Sequence, residues 1–255
     1  KLPKMSQNQI AIVTGGSRGI GAAISLKLAS QGMDIAIIYT SPSSTPQAEE
    51  LSKQITALGQ KALLVRTNLA EADCGVVVRD AVLKGFQTEK IHVLVNNAGI
   101  SDIQDSLSIE LDHYTNIMNI NLRAPMLLVK AIAPHMSRGG RIISISSGLV
   151  HEPVPGYDVY AASKAGVEAL TRQWAVTFGK SAGLTANAVV CGAVETDILK
   201  NVPLEMFEPV MQKAAAAHRI ATPDDIAQVV GFVASEGSRW VTGQCIGAHG
   251  GIMFN

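Results

Sequence analysis

The stretch IAIVTGGSRGIG, residues 10–21, decides how the rest of the chain is read. Its first five residues are an apolar run ending in Thr14, the pattern of a strand buried on both faces. They pass without a break into a glycine-rich turn, and a helix-like segment, GIGAAISLKLASQG, opens at Gly19. A strand turning tightly into a helix places the helix N-terminus, with its free N–H groups, where a pyrophosphate can sit. Gly15, Gly19 and Gly21 occupy that turn, where a Cβ would obstruct both the bend and a ligand lying on the backbone. The glycines alone also fit an ordinary tight strand-to-helix turn. Their G-x-x-x-G-x-G spacing differs from the G-x-G-x-x-G dinucleotide fingerprint.

Outward from this turn, short apolar runs alternate with amphipathic ones. DIAIIYT (34–40), PQAEELSKQITALGQ (46–60) and KALLVRTN (61–68) complete a βαβαβ opening. HVLVNNAG (92–99) follows, then a long helix near 110–136 that Pro125 and Pro134 kink or end, then RIISISS (141–147) and a helix over 158–179. TANAVVCG (185–192), a helical insert at 203–217, TPDDIAQVVGFVAS (222–235) and a short strand near 244–248 close the chain. The expected fold is α/β, a doubly wound parallel sheet of seven strands with helices on both faces. No linker, repeat or charge block divides residues 1–255, so one domain is expected, and SPSSTPQ (41–47) is a loop.

Composition narrows the function classes. The 255 residues are 47% hydrophobic and 16% charged, with Lys+Arg and Asp+Glu equal at 21 each. Such a chain has a core and no field that would draw it to nucleic acid or anionic lipid. No apolar run reaches the roughly 20 residues of a membrane span, and the start KLPKMSQNQ lacks the apolar stretch of a secretory signal. A soluble cytoplasmic protein is expected, and a first residue of Lys suggests a trimmed start or the lack of a disordered leader. Cys74, Cys191 and Cys245 are few and scattered, which suggests neither a disulfide framework nor a metal site.

TGGSRGIG (14–21), NNAG (96–99) and YAASK (160–164), in this order, resemble the short-chain dehydrogenase/reductase family. The resemblance runs from Ile10 to GAHGG (247–251) and implies a seven-stranded Rossmann sheet around a nicotinamide dinucleotide. It divides the chain into a dinucleotide-binding part at about 10–150 and a substrate lobe at about 193–221. The second strand ends in Tyr39, Thr40 and Ser41, without the carboxylate that would bind ribose hydroxyls and repel a 2′-phosphate. Arg18 resembles the family's basic residue that meets this phosphate, so the expected cofactor is NADPH/NADP+; the alternative for Arg18 is a solvated loop charge. Asn68 replaces an aspartate common near adenine. By the same resemblance Ser17 and Ile20 belong to the phosphate loop, and Asn97, Ala98 and Gly99 line the far ribose. Thr196 meets the carboxamide, and Gly192 and Val194 complete the cofactor contacts.

Tyr160 and Lys164 are four residues apart and share one helical face, where a lysine would lower the phenol pKa from about 10 and ready it for proton transfer. Ser147 matches the family serine that holds a substrate oxygen, and Asn121 matches the asparagine of the relay helix. Tyr157 is out of register with Lys164. Two features depart from the family: Cys191 stands where a proline usually shapes the wall over the nicotinamide, and His249 replaces an aspartate. Asp158 and Arg123 are expected near the pocket, although a surface acid and an unrelated helix arginine are the plain alternative.

The set Asp158, Arg123 and the lost proline resembles fungal bifunctional reductase/Diels–Alderases of indole alkaloid biosynthesis, the malbrancheamide and paraherquamide type. That resemblance implies NADPH reduction of a cyclic iminium in a prenylated dipeptide derivative, followed by a stereoselective intramolecular Diels–Alder addition. An ordinary ketone or 3-oxoacyl reductase and a non-catalytic NADP(H)-binding regulator are the other readings. Residues 197–217 offer Leu199, Val202, Leu204, Met206, Phe207 and Met211 as a cover for a large apolar ligand, or as an amphipathic packing helix. Helices 110–136 and 158–179 resemble those that pair subunits in the family, which implies a homotetramer with Trp174 and Phe178 at an interface or in the core.

Overall fold

Seven parallel strands lie in the order β3-β2-β1-β4-β5-β6-β7 in the computed structural model, which describes residues 9–196 and 203–254. The strands are β1 (Gln9–Thr14), β2 (Met33–Tyr39), β3 (Ala62–Arg66), β4 (Ile91–Asn96), β5 (Met136–Ser147), β6 (Thr185–Cys191) and β7 (Cys245–Ala248). Their Val, Ile and Ala side chains point alternately to two apolar layers. On one face Ile24 and Leu28 of α1 (Gly19–Ser30), Leu51 and Ile55 of α2 (Thr45–Ala57) and Ile226 and Val230 of α8 (Pro223–Ala234) cover the sheet. On the other, Val78 and Val82 of α3 (Cys74–Phe86), Leu128 of α5 (Ala124–Ile132) and Trp174 of α6 (Asp158–Ala182) do so. Trp174 is buried and Phe178 packs beside it, both within the layer beneath α6.

The chain leaves β1 toward one edge of the sheet and β4 toward the other, so a crevice opens at the strands' C-terminal ends between them. Among the described residues no helix is long and apolar enough to cross a membrane.

Several elements differ from expectation. The helix expected over 110–136 is divided into α4 (Leu111–Met118), a widened π turn (Asn119–Arg123), α5 and a short 3-10 turn (Ala133–His135). Pro125 falls in the first turn of α5, where a missing N–H costs little, and it does not end the helix. Strand β5 begins at Met136, five residues before RIISISS, with a register shift against β4 between Ile91 and Val93. Helix α3 occupies the stretch between the expected strands 61–68 and 92–99, to which the sequence assigns no element. Helix α6 continues to Ala182 and stops at Gly183, whose φ of +70° suits a residue without a Cβ. The insert at 203–217 reduces to a 3-10 turn (Leu204–Phe207) and α7 (Glu208–Lys213). Of the expected apolar cover, Met211 is buried, Phe207 half-buried and Met206 exposed, and Leu199 and Val202 lie outside the described residues.

Candidate active site

The crevice is a cavity of about 510 Å³. Of the residues expected to hold a cofactor, all but Gly192 and Val194 line it, from Gly15 in the β1–α1 turn to Thr196 after β6. Gly15 and Gly19 have φ of +60° and +53°, and a Cβ on Gly21 would come within 2.1 Å of the Gly15 carbonyl oxygen. A second turn braces this loop from behind. The Thr14 hydroxyl accepts the N–H groups of Asn97 and Ala98, each at 3.0 Å, and the Asn97 amide donates to the carbonyls of Thr14 (2.8 Å) and Gly15 (3.3 Å). The Asn97 side chain is therefore engaged in shaping the loop. Free N–H groups at the start of α1 and a floor without Cβ atoms fit a pyrophosphate.

At the outer end of the cavity, Ser41 accepts the Ser43 N–H at 3.2 Å, and the two hydroxyls are 2.6 Å apart. Arg18 is exposed at this end, and among the described residues no carboxylate lines the cavity. Hydroxyls beside a guanidinium, with no acid among the described lining residues, suit a phosphate better than a bare ribose. Asn68 accepts the Ala70 N–H and donates to Glu71, each at 3.0 Å, so its side chain stiffens its own loop.

At the inner end, helix α6 presents Tyr160 and Lys164 to the end of β5. Lys164 is buried, and its Nζ donates to the Ile145 carbonyl at 2.9 Å and stands 5.7 Å from the centre of the Tyr160 ring. Burial pulls its ammonium down to about 8. The Tyr160 phenol is raised above its ordinary value, because burial outweighs the hydrogen bond from Ser147 that favours the phenolate. The expected lysine-lowered phenol is not what the site holds: desolvation outweighs the help of the ammonium, which is bound to a carbonyl. Tyr157 packs edge-on against Tyr160, with ring centres 6.2 Å apart.

Asn121 sits in the π turn. Its Oδ1 accepts the Ile100 N–H at 2.9 Å, and its Nδ2 donates to the Ile100 carbonyl (2.9 Å) and to Ser163 Oγ (3.1 Å). An extra residue in a helical turn re-aims a side chain, here toward the segment after β4. A Cβ on Gly99 would press on Lys164 Nζ at 3.2 Å and touch Asn121 Oδ1 at an ordinary 3.4 Å.

The structure does not bring Asp158 and Arg123 to the cavity. Asp158 is exposed on the first turn of α6 and accepts the Ser106 hydroxyl at 3.0 Å. Arg123 leaves the π turn on the side away from Asn121 and donates to the Ala70 carbonyl, which ties α5 to the loop carrying Asn68. Val194 is buried in the core, bridged to Ala221. Gly192 faces the tail, where a Cβ would lie 3.1 Å from Ile252 and 3.2 Å from His249. Cys191, in the proline's place, is the last paired residue of β6, opposite Ser147 and Ala248, and burial pushes its thiol up to about 12. A strand residue paired on both sides needs the N–H that proline lacks.

Thr14, Ser163, Ile100 and Ile145 carry no site signal of their own in the sequence. Small polar residues ending a strand or facing a helix turn carry no periodic signal, although Thr14 directly precedes the first glycine.

The family profile described as enoyl-(acyl carrier protein) reductase matches residues 15–253. The short-chain dehydrogenase/reductase FrzI of Cladobotryum sp is 39% identical over 259 residues, 98% of either chain. The short chain dehydrogenase penD of Penicillium thymicola is 37% identical, over 95% of this chain and 91% of its own. The crystal structure of the angucycline C-6 ketoreductase LanV with bound NADP superposes with a TM-score of 0.89 at 31% identity, covering 96% of this chain and 95% of its own. With the glycine turn, the braced NNAG segment and the Tyr160–Lys164 face assembled at one cavity, this chain belongs to the short-chain dehydrogenase/reductase family.

Proposed function

We propose that this protein is an NADPH-dependent reductase of a carbonyl group in an apolar small molecule. The observation that carries the reading is that Tyr160 and Lys164, with Ser147 against the phenol, stand at the inner end of a glycine-floored cavity whose outer end is lined by Arg18 and Ser41. NADP bound in the LanV structure supports the cofactor. When bound, NADPH supplies a hydride to the carbonyl carbon. Ser147 and Tyr160 hold the substrate oxygen, and the Tyr160 phenol, kept protonated by burial, donates the proton that the oxygen requires. The Lys164 ammonium offsets negative charge left on the phenolate. Asn121 fixes Ile100 and thereby the wall beside Gly99.

The test is NADPH oxidation with an apolar ketone. Tyr160→Phe is expected to lower kcat by about 100-fold or more while leaving the Kd for NADPH within about twofold. An unchanged kcat sinks the reading.

A second reading is reduction of a cyclic iminium followed by Diels–Alder closure. Its support is the sequence set Asp158, Arg123 and Cys191, of which the structure leaves Asp158 and Arg123 outside the cavity. Because C=N⁺ needs no proton on oxygen, this reading expects Tyr160→Phe to be tolerated and Asp158→Asn to lose rate with a prenylated-indole dipeptide aldehyde. A single enantiomer of reduced cycloadduct supports it; a racemic product removes the cyclisation. The same proposal takes residues 1–255 as one domain and the assembly as a homotetramer, supported by exposed Leu111 and Tyr114 on α4 and Val176 on α6. Light scattering that gives a monomer overturns the assembly.

A further inference from the structure

Helix α6 carries a buried acid on the face that bears Tyr160 and Lys164. Glu168 is the next step at four-residue spacing, so the three side chains form one stripe along the helix. Each meets the end of β5: the Ser147 hydroxyl meets Tyr160, Lys164 Nζ donates to the Ile145 carbonyl, and the Ser146 hydroxyl donates to Glu168 Oε1 at 2.6 Å. The same Glu168 oxygen lies 3.3 Å from His151 Nε2. His151 follows the 3-10 turn Gly148–Val150, which the Ser147 hydroxyl starts by accepting the Leu149 N–H at 3.2 Å. One carboxylate thus fastens the chain on both sides of Ser147, at the residue before it and at the first residue beyond its turn.

The surroundings explain why a carboxylate rests there. Glu168 is 4% exposed, and a charge so buried is tolerated only where it is hydrogen-bonded. Besides Ser146 of β5 and His151, Cys245 of β7 lies against it, and Arg172, the next residue of the stripe, reaches the Cys245 sulfur at 3.7 Å. An apolar side chain would fill the same place between helix and sheet without desolvating a charge, so packing alone does not call for an acid.

We infer that Glu168 is a positioning residue of the reaction, holding the Ser147 hydroxyl opposite Tyr160 through Ser146 and His151. The inference rests on the reductase reading above and names a residue outside the cavity lining that this reading needs.

The experiment uses the full chain and two variants, Glu168→Leu and Glu168→Gln, with Ser146→Ala as an independent way to cut the clamp. Crystal structures with NADP+ read the geometry without any substrate. In Glu168→Leu the Ser147 oxygen is expected to move from its place opposite the phenol by about 1 Å, and in Glu168→Gln, which keeps an acceptor for Ser146, to stay. Kinetics with NADPH and 9,10-phenanthrenequinone, an apolar diketone, read the consequence. Glu168→Leu is expected to lose about tenfold or more in kcat with KM for NADPH within twofold, and Glu168→Gln to recover most of it. If Glu168→Leu does not fold, Ser146→Ala carries the same two expectations. A Ser147 oxygen in its wild-type place, with kcat kept and only the melting temperature lowered, overturns the inference. Failure of the wild-type protein to reduce the diketone counts against the reductase reading with that probe, and the crystal structures still decide the clamp.

Discussion

At the β1 end of the cavity the walls are backbone, and at the β5 end they are buried polar side chains. Gly15, Gly19 and Gly21 leave a floor that a single methyl group on Gly21 would breach, at 2.1 Å from a carbonyl oxygen. Around Ser147, by contrast, Lys164 and Glu168 are almost wholly enclosed, and each holds β5 through a hydrogen bond. The first end works by shape, and its tolerances are steric. The second works by charge and hydrogen bonding in a dry setting, so its tolerances are protonic. The two ends should therefore fail in different observables.

The largest effect belongs to the backbone end. Gly21→Ala is expected to weaken NADPH binding by about 100-fold, or about 2.7 kcal/mol, as the loop shifts to admit the methyl group. Fluorescence titration of NADPH reads it, and wild-type affinity would mean that the loop yields freely and the contrast is overstated. Next is the pH profile of the side-chain end. Tyr160 stays protonated well into the alkaline range, whereas Lys164 gives up its proton near pH 8, so the protonated pair is present below that value and is lost as pH rises through it. Carbonyl reduction should fall by about tenfold per pH unit above 8 and should hold to higher pH in Lys164→Arg. A profile flat to pH 9.5 would show that the ammonium charge is not needed. The smallest effect sharpens the boundary between the ends. Arg123→Met removes the donor to Ala70, with an expected cost of about 1 kcal/mol in NADPH affinity and no change in kcat. A loss confined to kcat would return Arg123 to the reacting end.

The same contrast explains what could be read from the sequence. Alternating apolar runs and glycine spacing are local, so the parallel sheet and the β1–α1 turn follow from IAIVTGGSRGIG and its neighbours. Tyr160 and Lys164 are also legible, being one helical turn apart. Asp158 and Arg123 lie away from the expected pocket because sequence proximity to Tyr160 and Asn121 says nothing about which way a side chain leaves its turn. The π turn at Asn119–Arg123 adds a residue to the helix and sends Asn121 and Arg123 to opposite neighbours, Ile100 and Ala70. Glu168 was invisible for another reason: its partners Ser146, His151 and Cys245 come from three elements that only the folded sheet brings together.

The spread of the lining, from Gly15 to Thr196, sets the order in which a growing chain acquires competence. When β1, α1 and β2 have left the ribosome the glycine floor can exist, yet Tyr160 and Lys164 have still to be made. Thr196 arrives only after β6, the sixth strand of the sheet, has been added. Cofactor can therefore stabilise the finished sheet by mass action but cannot rescue an early intermediate through the whole site. Until that point the nascent half-sheet, with β4 still waiting for β5, depends on its own apolar layers and on whatever shields its open edge.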